Sequence, residues 1–588
     1  MSLPRSRVGA AIAWGAWAAM LAAALFFVAH YGSNVPSWDD WDMVPTLTHN
    51  QPVSWDWLWS QHNEHRVPVP RLIFLGLNRL MTVDMRVTMY FDVLMMAALA
   101  AGMILTAARL RGRPSAADAF FPLLLLHWGQ AANLLWGWQL QFFASVALAC
   151  VALLAIVRAG ATVPVWRAAV TVGICALLLP LCGANGLGMV PALAVWPLAL
   201  ALLPEIWTGG GGTRGNRALL AFGTGALALT ALYFVGWERV PYHPKSQSVY
   251  QSLKTAVQFA TIGLGPATRD PWPVSGVATL AAFGVSIVAL IRVWRDRPEE
   301  RARAAGLLCF LGALASLALG LGLGRNGFET RYVTLALPAW CAVYYIWVIY
   351  ADRSSAWAPA ALALASFAAL WGNTMFGVQY ARELRGQLGG FERDLAAGVP
   401  LHELLHRYGP WLHPHQDVPA RYLPMLQRAQ VGNYGALKED SAFRVIPLDL
   451  RPVETSELTW QDSTARVVGP RPALLFRLPA DRVAAAIRLR YRYRSDDGSL
   501  PYIGIRWKPS GQPEFGPERF YKYSPTGDRA NWERGTWDTI HDSATTLTVW
   551  ISDTVGEVGI TPDFRPAVFK IDELSLLVPT EPPTGAKP

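Results

Sequence analysis

SWDDWDMVPTL, residues 37–47, follows the first hydrophobic segment and sets three carboxylates, Asp39, Asp40 and Asp42, into an otherwise apolar chain. The stretch runs on through tryptophans to HNEHR, residues 62–66, which adds His62, Glu64, His65 and Arg66 before the sequence turns apolar again. A polar group between two hydrophobic segments belongs at a membrane surface.

The composition agrees. The 588 residues are 52% hydrophobic and 16% charged, where soluble proteins carry about a quarter charged residues. A hydrocarbon core about 30 Å thick needs roughly 20 apolar residues per helix. On that ruler eleven spans are predicted, near 8–30, 87–108, 118–134, 137–158, 168–184, 187–206, 217–236, 275–294, 305–324, 333–350 and 357–378, with Pro122, Gly129 and Gly183 interrupting the third and fifth. The five cysteines lie in or beside these segments and read as small core residues, not as a disulfide framework.

The formal charge of +9 invites a nucleic-acid reading, but the arginines sit in short loops between spans, where they set topology. Arg5 and Arg7, Arg109 to Arg113, Arg214 and Arg217, and the run from Arg292 to Arg303 fall on one side of the membrane. Taken as the cytoplasm, that side leaves loop 31–86 and everything after 378 facing outward, with a retained N-terminal anchor. Usage of Ala, Arg, Gly and Pro points to a high-GC bacterium, and the expected location is its cytoplasmic membrane. Residues 379–441 read as an amphipathic helical connector. From 442 to 588, alternating runs such as AAIRLRYRYRS, YIGIRWK, TLTVWIS and FKIDELSLLV predict a soluble β-sandwich of jelly-roll type.

A carboxylate at a membrane edge can take a proton from an attacking hydroxyl or hold a divalent metal, and histidine can share either task. Aspartates in this position would equally start or cap a helix. The late loop GRNGFETRYV supplies Arg325 and Arg331 beside Glu329 and Tyr332, and the guanidinium fork suits phosphate; the same residues would also anchor a helix end. ERVPYHPK, with Arg239, His243 and Lys245, is a second basic segment. Gln130, Asn133 and Gln139 lie among Trp128, Trp136 and Trp138, a pattern that fits sugar stacking or an aromatic belt. CGANGLG, residues 182–188, predicts a tight turn near the cavity, and Asp92 falls inside a span. TGGGGTRGNR lacks a phosphate-loop ending, so no nucleotide cofactor is expected. His402, His406, His413 and His415 lack metalloprotease spacing and read as part of an amphipathic surface helix.

An inner amino terminus, one span, a long outer loop opening on WDDWD, many further spans and an outward soluble domain together resemble the GT-C class of integral-membrane glycosyltransferases over residues 1–378. The resemblance implies transfer of a hexosyl or pentosyl unit, with inversion, from a polyprenyl-phosphate-linked donor to an acceptor glycan, lipid or protein. It implies that Asp40 or Asp39 is the general base. Glu64 would be a further catalytic carboxylate, Asp42, His62, His65, Arg66, Arg239, Arg325, Arg331 and Tyr332 would bind the substrates, and Asp40, Glu64 and His65 would be candidate ligands for Mg, Mn or Zn. Two other readings stand beside it: a transporter or flippase for lipid-linked sugars, and a non-enzymatic scaffold of surface polysaccharide assembly. A transporter would carry its essential charges near the bilayer midplane, whereas the densest acidic cluster here is extramembrane.

Overall fold

The computed structural model describes residues 3–81, 83–203, 212–238, 246, 248–325, 327–440, 442–495, 502–523 and 544–580. Two compact units result, one containing Met1–Asn34 and nearly all of 53–385, the other Val35–Pro52 and Gly386–Pro588. The acidic stretch of the first loop thus belongs to the same unit as the C-terminal region.

The first unit is helical. Among the described residues, eight helices are long and apolar enough to cross a membrane: Arg7–Tyr31, Arg86–Arg111, Gly137–Arg158, Val165–Cys182, Val274–Asp296, Pro298–Gly322, Tyr332–Tyr350 and Ala358–Ala396. Several present apolar side chains outward. Val274, Val277 and Leu280 of one helix are 57–72% exposed, as are Leu364, Phe367 and Trp371 of another at 64–75%. Such continuous apolar surfaces are stable against lipid and costly against water.

Eleven spans were expected, and the difference has local causes. The 118–134 segment is no single helix: it divides into Phe120–Leu125, a 3-10 turn at Trp128–Gln130 and Ala131–Leu134. His127 between them is extended. At Gly129 a Cβ would lie 2.7 Å from Pro266 Cδ, so only glycine admits that approach. Of the freed carbonyls, Leu125 O accepts from Gln130 Nε2 at 2.9 Å; Asn133 Nδ2 reaches outside the segment and donates to Arg331 O at 2.7 Å. The 187–206 segment yields the 13-residue helix Val190–Leu202, and 217–236 falls in the 22-residue helix Gly212–Tyr233, whose polar start lowers its hydropathy. A 14-residue helix, Val249–Ile262, was not anticipated.

The second unit joins the 3-10 helix Trp38–Met43, the helices Leu401–Leu412 and Asp417–Arg428, and an antiparallel sheet. A two-stranded hairpin in the first unit, β1 (Gln61–His62) and β2 (His65–Arg66), comes earlier in the chain. The sheet strands are β3 (Phe443–Pro447), β4 (Glu454–Ser456), β5 (Leu458–Gln461), β6 (Thr464–Val467), β7 (Ala473–Ser495), β8 (Ile503–Lys508), β9 (Phe520–Tyr523), β10 (Thr545–Thr561) and β11 (Ala567–Pro579). Their order is β5-β6-β11-β7-β10-β8-β9, with β3 on β11 and β4 on β7. All nine are hydrogen-bonded into one sheet rather than two separate ones. The long strands β7 and β10 change register between Trp550 and Asp553 and again between Val555 and Glu557, and such irregularities bend a sheet. Inward side chains, among them Phe476, Ile487, Leu489, Val549, Ile560 and Phe569, form a single core. Trp507 belongs to that core, its Nε1 donating to Asp553 Oδ2 at 3.0 Å.

Candidate functional site

In the second unit, Ser37 is extended and starts the 3-10 turn that carries the three aspartates. Asp40 Oδ2 accepts the Ser37 N–H at 3.1 Å, so the capping role open to these aspartates falls to Asp40, which is 1% exposed. Asp39 is half-buried and Asp42 buried. Trp38 stands at φ +50°, a left-handed conformation that side chains bearing a Cβ rarely adopt; such strain collects at functional positions. Fully buried Trp41 donates from Nε1 to Leu412 O at 3.1 Å.

That bond pins the acidic turn to the end of the Leu401–Leu412 helix, where the next residue is His413. Burial lowers the pKa of His413, while the negative charges of Asp42 and Asp39 pull it back up. Its Nδ1 lies 3.0 Å from the His415 backbone nitrogen and 3.1 Å from the His415 carbonyl oxygen. Burial holds His415 at about 3 and raises Asp417, which also feels His413. His413 is the member of this site that the sequence reading assigned to a surface helix: it lies past the helix end, with extended backbone. The signal present was Pro414 directly after His413, since the residue before a proline is pushed out of the helical conformation. His402 is occupied elsewhere, 2.5 Å from Asp440.

In the first unit the β1–β2 hairpin turns through Asn63 at φ +49° and pairs His62 with His65. Glu64 forms an ion pair with Arg325 and lies 3.5 Å from His65 Nε2. His65 Nδ1 accepts the Ala184 N–H at 3.0 Å, which places the CGANGLG turn beside the hairpin. Gly183 makes that possible: its φ is +120°, and a Cβ there would lie 2.8 Å from Asn185 Oδ1. Asn185 Nδ2 donates to Ser145 Oγ at 2.8 Å, and its buried Oδ1 has no partner among the described residues. His62 is 1% exposed and meets Trp138 edge-on. Arg66 is structural in this conformation, its guanidinium donating to the carbonyls of Tyr233, Trp59 and Val235.

Arg331 and Tyr332 open the Tyr332–Tyr350 helix. The Arg331 guanidinium stands 5.8 Å from the Tyr332 ring centroid, and its Nε is buried without a hydrogen-bond partner among the described residues. Arg325 shares this environment: burial lowers its pKa, with Tyr332 and Glu329 opposing that shift and Arg331 adding to it. Below them Asn133 donates to Thr334 Oγ1 at 2.6 Å, and Thr334 donates to Gln130 Oε1 at 2.8 Å. Two guanidinium groups and a ladder of amides and hydroxyls thus gather at one span end.

Arg239, with His243 and Lys245, lies outside the described residues, as do Trp532 and Trp537 of the β-domain. Of the expected metal ligands, Asp40 belongs to the second unit and Glu64 and His65 to the first. Among the described residues no three His, Cys, Asp or Glu side chains form a metal-holding group.

No protein-family model matches the chain, and no curated protein does. Solved structures that align with it include the arabinofuranosyltransferase AftD from Mycobacteria, at TM-score 0.30 and 11% identity over 97% of this chain and 60% of that one. The arabinosyltransferase EmbB from Mycobacterium smegmatis aligns at TM-score 0.25 and 10% identity, over 96% and 64%. The chain spans about three fifths of the length of these proteins.

Proposed function

We propose that the chain is a multi-pass membrane glycosyltransferase that moves a sugar from a polyprenyl-phosphate-linked donor to an acceptor glycan, lipid or protein at the outer face of a bacterial cytoplasmic membrane. In this reading the acceptor hydroxyl oxygen attacks the anomeric carbon. The bond from that carbon to the phosphate oxygen breaks, the configuration inverts, and the prenyl phosphate leaves with the bonding pair. The hydroxyl proton passes to a carboxylate of the acidic turn. Asp39 and Asp40 are the candidates; Asp40 is engaged as a cap, and Asp39 is the more accessible.

The observation that carries the reading is the unsatisfied Nε of Arg331 beside Arg325 at the end of an apolar helix. A buried guanidinium N–H without an acceptor is costly, and a phosphate oxygen arriving from the lipid would satisfy it and the charge together. Arginines gathered at the opposite span ends support the proposed topology, with the amino terminus in the cytoplasm and the β-domain outside.

The test is sugar transfer by the purified full chain from a panel of radiolabelled polyprenyl-phosphate sugars, with and without Mg, Mn or Zn. Asp39→Asn and Asp40→Asn are assayed beside it. Turnover that one of the folded variants loses supports the enzyme. Absence of turnover on every donor, together with movement of lipid-linked sugar in vesicles, overturns it in favour of a transporter.

A further inference from the structure

A cavity of about 270 Å³ opens where several helices of the first unit end, lined by Arg109, Thr162, Arg297, Glu300, Arg303 and Tyr350 among others. Arg109 comes from the last turn of Arg86–Arg111, and Thr162 follows Leu140–Arg158. Arg297 follows Val274–Asp296, Arg303 lies in the first turn of Arg301–Gly322, and Tyr350 ends Tyr332–Tyr350.

Its charges do not balance. Glu300 is the one carboxylate in the lining, and it is already held by Arg303 Nη1 at 3.2 Å and by the Tyr350 hydroxyl at 2.9 Å. Arg303 is further fixed by its Nε donating to Ala159 O at 2.8 Å. Arg109 and Arg297 remain, both exposed and neither in an ion pair among the described residues. Arg158, close enough to Arg109 for the two charges to repel, donates to Thr106 Oγ1 rather than to a carboxylate. Arginine in a last turn complements a helix dipole, which accounts for Arg109 or Arg158 singly. It does not account for two unpaired cations, Arg109 and Arg297, brought by separate helices to one open cavity.

We propose that this cavity binds the phosphate group of an anionic ligand, with Arg109 and Arg297 supplying the charge and the fixed Arg303, Glu300 and Tyr350 forming the floor. A phosphate oxygen can accept from each guanidinium fork. Two sources share this chemistry: the headgroup of an anionic phospholipid and a soluble phosphate ester. The proposal is independent of the transferase reading.

The experiment titrates the purified, delipidated full chain in detergent with phosphatidylglycerol, with phosphatidylcholine and with inorganic phosphate, following binding by native mass spectrometry and thermal melting. The same titrations are run on Arg109→Gln/Arg297→Gln and on Thr162→Glu, which sets a carboxylate at the cavity edge. The expected result is phosphatidylglycerol binding that weakens by roughly tenfold or more in both variants, because each cation near an anionic headgroup contributes appreciably. Inorganic phosphate binding with the same dependence on the variants supports the site and assigns it to soluble esters. Equal binding of phosphatidylglycerol and phosphate by all three proteins, or binding by none, overturns the proposal.

Discussion

Arg325, in the turn before the Tyr332–Tyr350 helix, is ion-paired with Glu64, at the tip of the β1–β2 hairpin. The two side chains are 20% and 17% exposed, so the pair is neither a solvated surface bridge nor a sealed one. It ties two loops far apart in sequence into one polar group. Glu64→Gln should leave Arg325 uncompensated and lower stability by about 1–3 kcal/mol, between the exposed and buried cases. Arg325→Gln added to it should recover part of that loss. A cycle of thermal melts on the two single variants and the double variant checks this, and strictly additive effects would show that the pair is uncoupled.

Asp118 is a fully buried and heavily engaged carboxylate of the first unit. It accepts from Arg111 Nη1 and Nη2, each at 2.9 Å, from the Tyr344 hydroxyl at 2.8 Å and from the Ser115 N–H at 3.1 Å. Asp118→Asn keeps the shape but strands the arginine, which should cost about 3–5 kcal/mol. Restoration of the melting temperature by Arg111→Gln in the same chain is the expected companion result. A single variant that melts like the parent would sink the prediction.

The second unit should weaken in mild acid. His415 has a folded pKa of about 3 against an ordinary 6.5, so below 6.5 the unfolded chain takes up a proton that the folded chain refuses. Its contribution is therefore complete above pH 6.5 and is lost progressively as pH falls toward 3. At pH 5 the loss should be about 2 kcal/mol. Asp417, raised by burial, works in the opposite direction at lower pH by holding its proton in the folded state. His415→Gln should flatten the pH dependence of melting between 7.5 and 5 by roughly that amount; an unchanged slope would assign the acid sensitivity to other groups.

Much of this was legible in the sequence, and the losses have identifiable causes. Helices such as Arg86–Arg111 and Tyr332–Tyr350 emerged because length and hydropathy suffice for a helix that satisfies its own backbone. The sheet emerged because alternation and turn residues mark strands locally, and β7, β8, β10 and β11 fall on the quoted runs. The break inside 118–134 was marked by Pro122 and Gly129, but the approach of Pro266 to Gly129 from elsewhere in the chain could not be seen. Glu64, His65 and Arg325 were each picked out, but their pairing required the third dimension. His413 was missed because its significance comes from Trp41 reaching Leu412, a hydrogen bond between segments 371 residues apart.

The interrupted stretch from Phe120 to Leu135 also bears on how the chain is made. A continuous apolar helix enters a bilayer self-sufficient, every backbone donor and acceptor already matched. This stretch adds a polar side chain to that account, for the Asn133 amide donates to the carbonyl of Arg331 and to Thr334, which are synthesised some two hundred residues later. Until the Tyr332–Tyr350 helix exists, the stretch has only water or another protein to complete it. The final hydrogen bonds of that amide therefore form only after the later helix has been made.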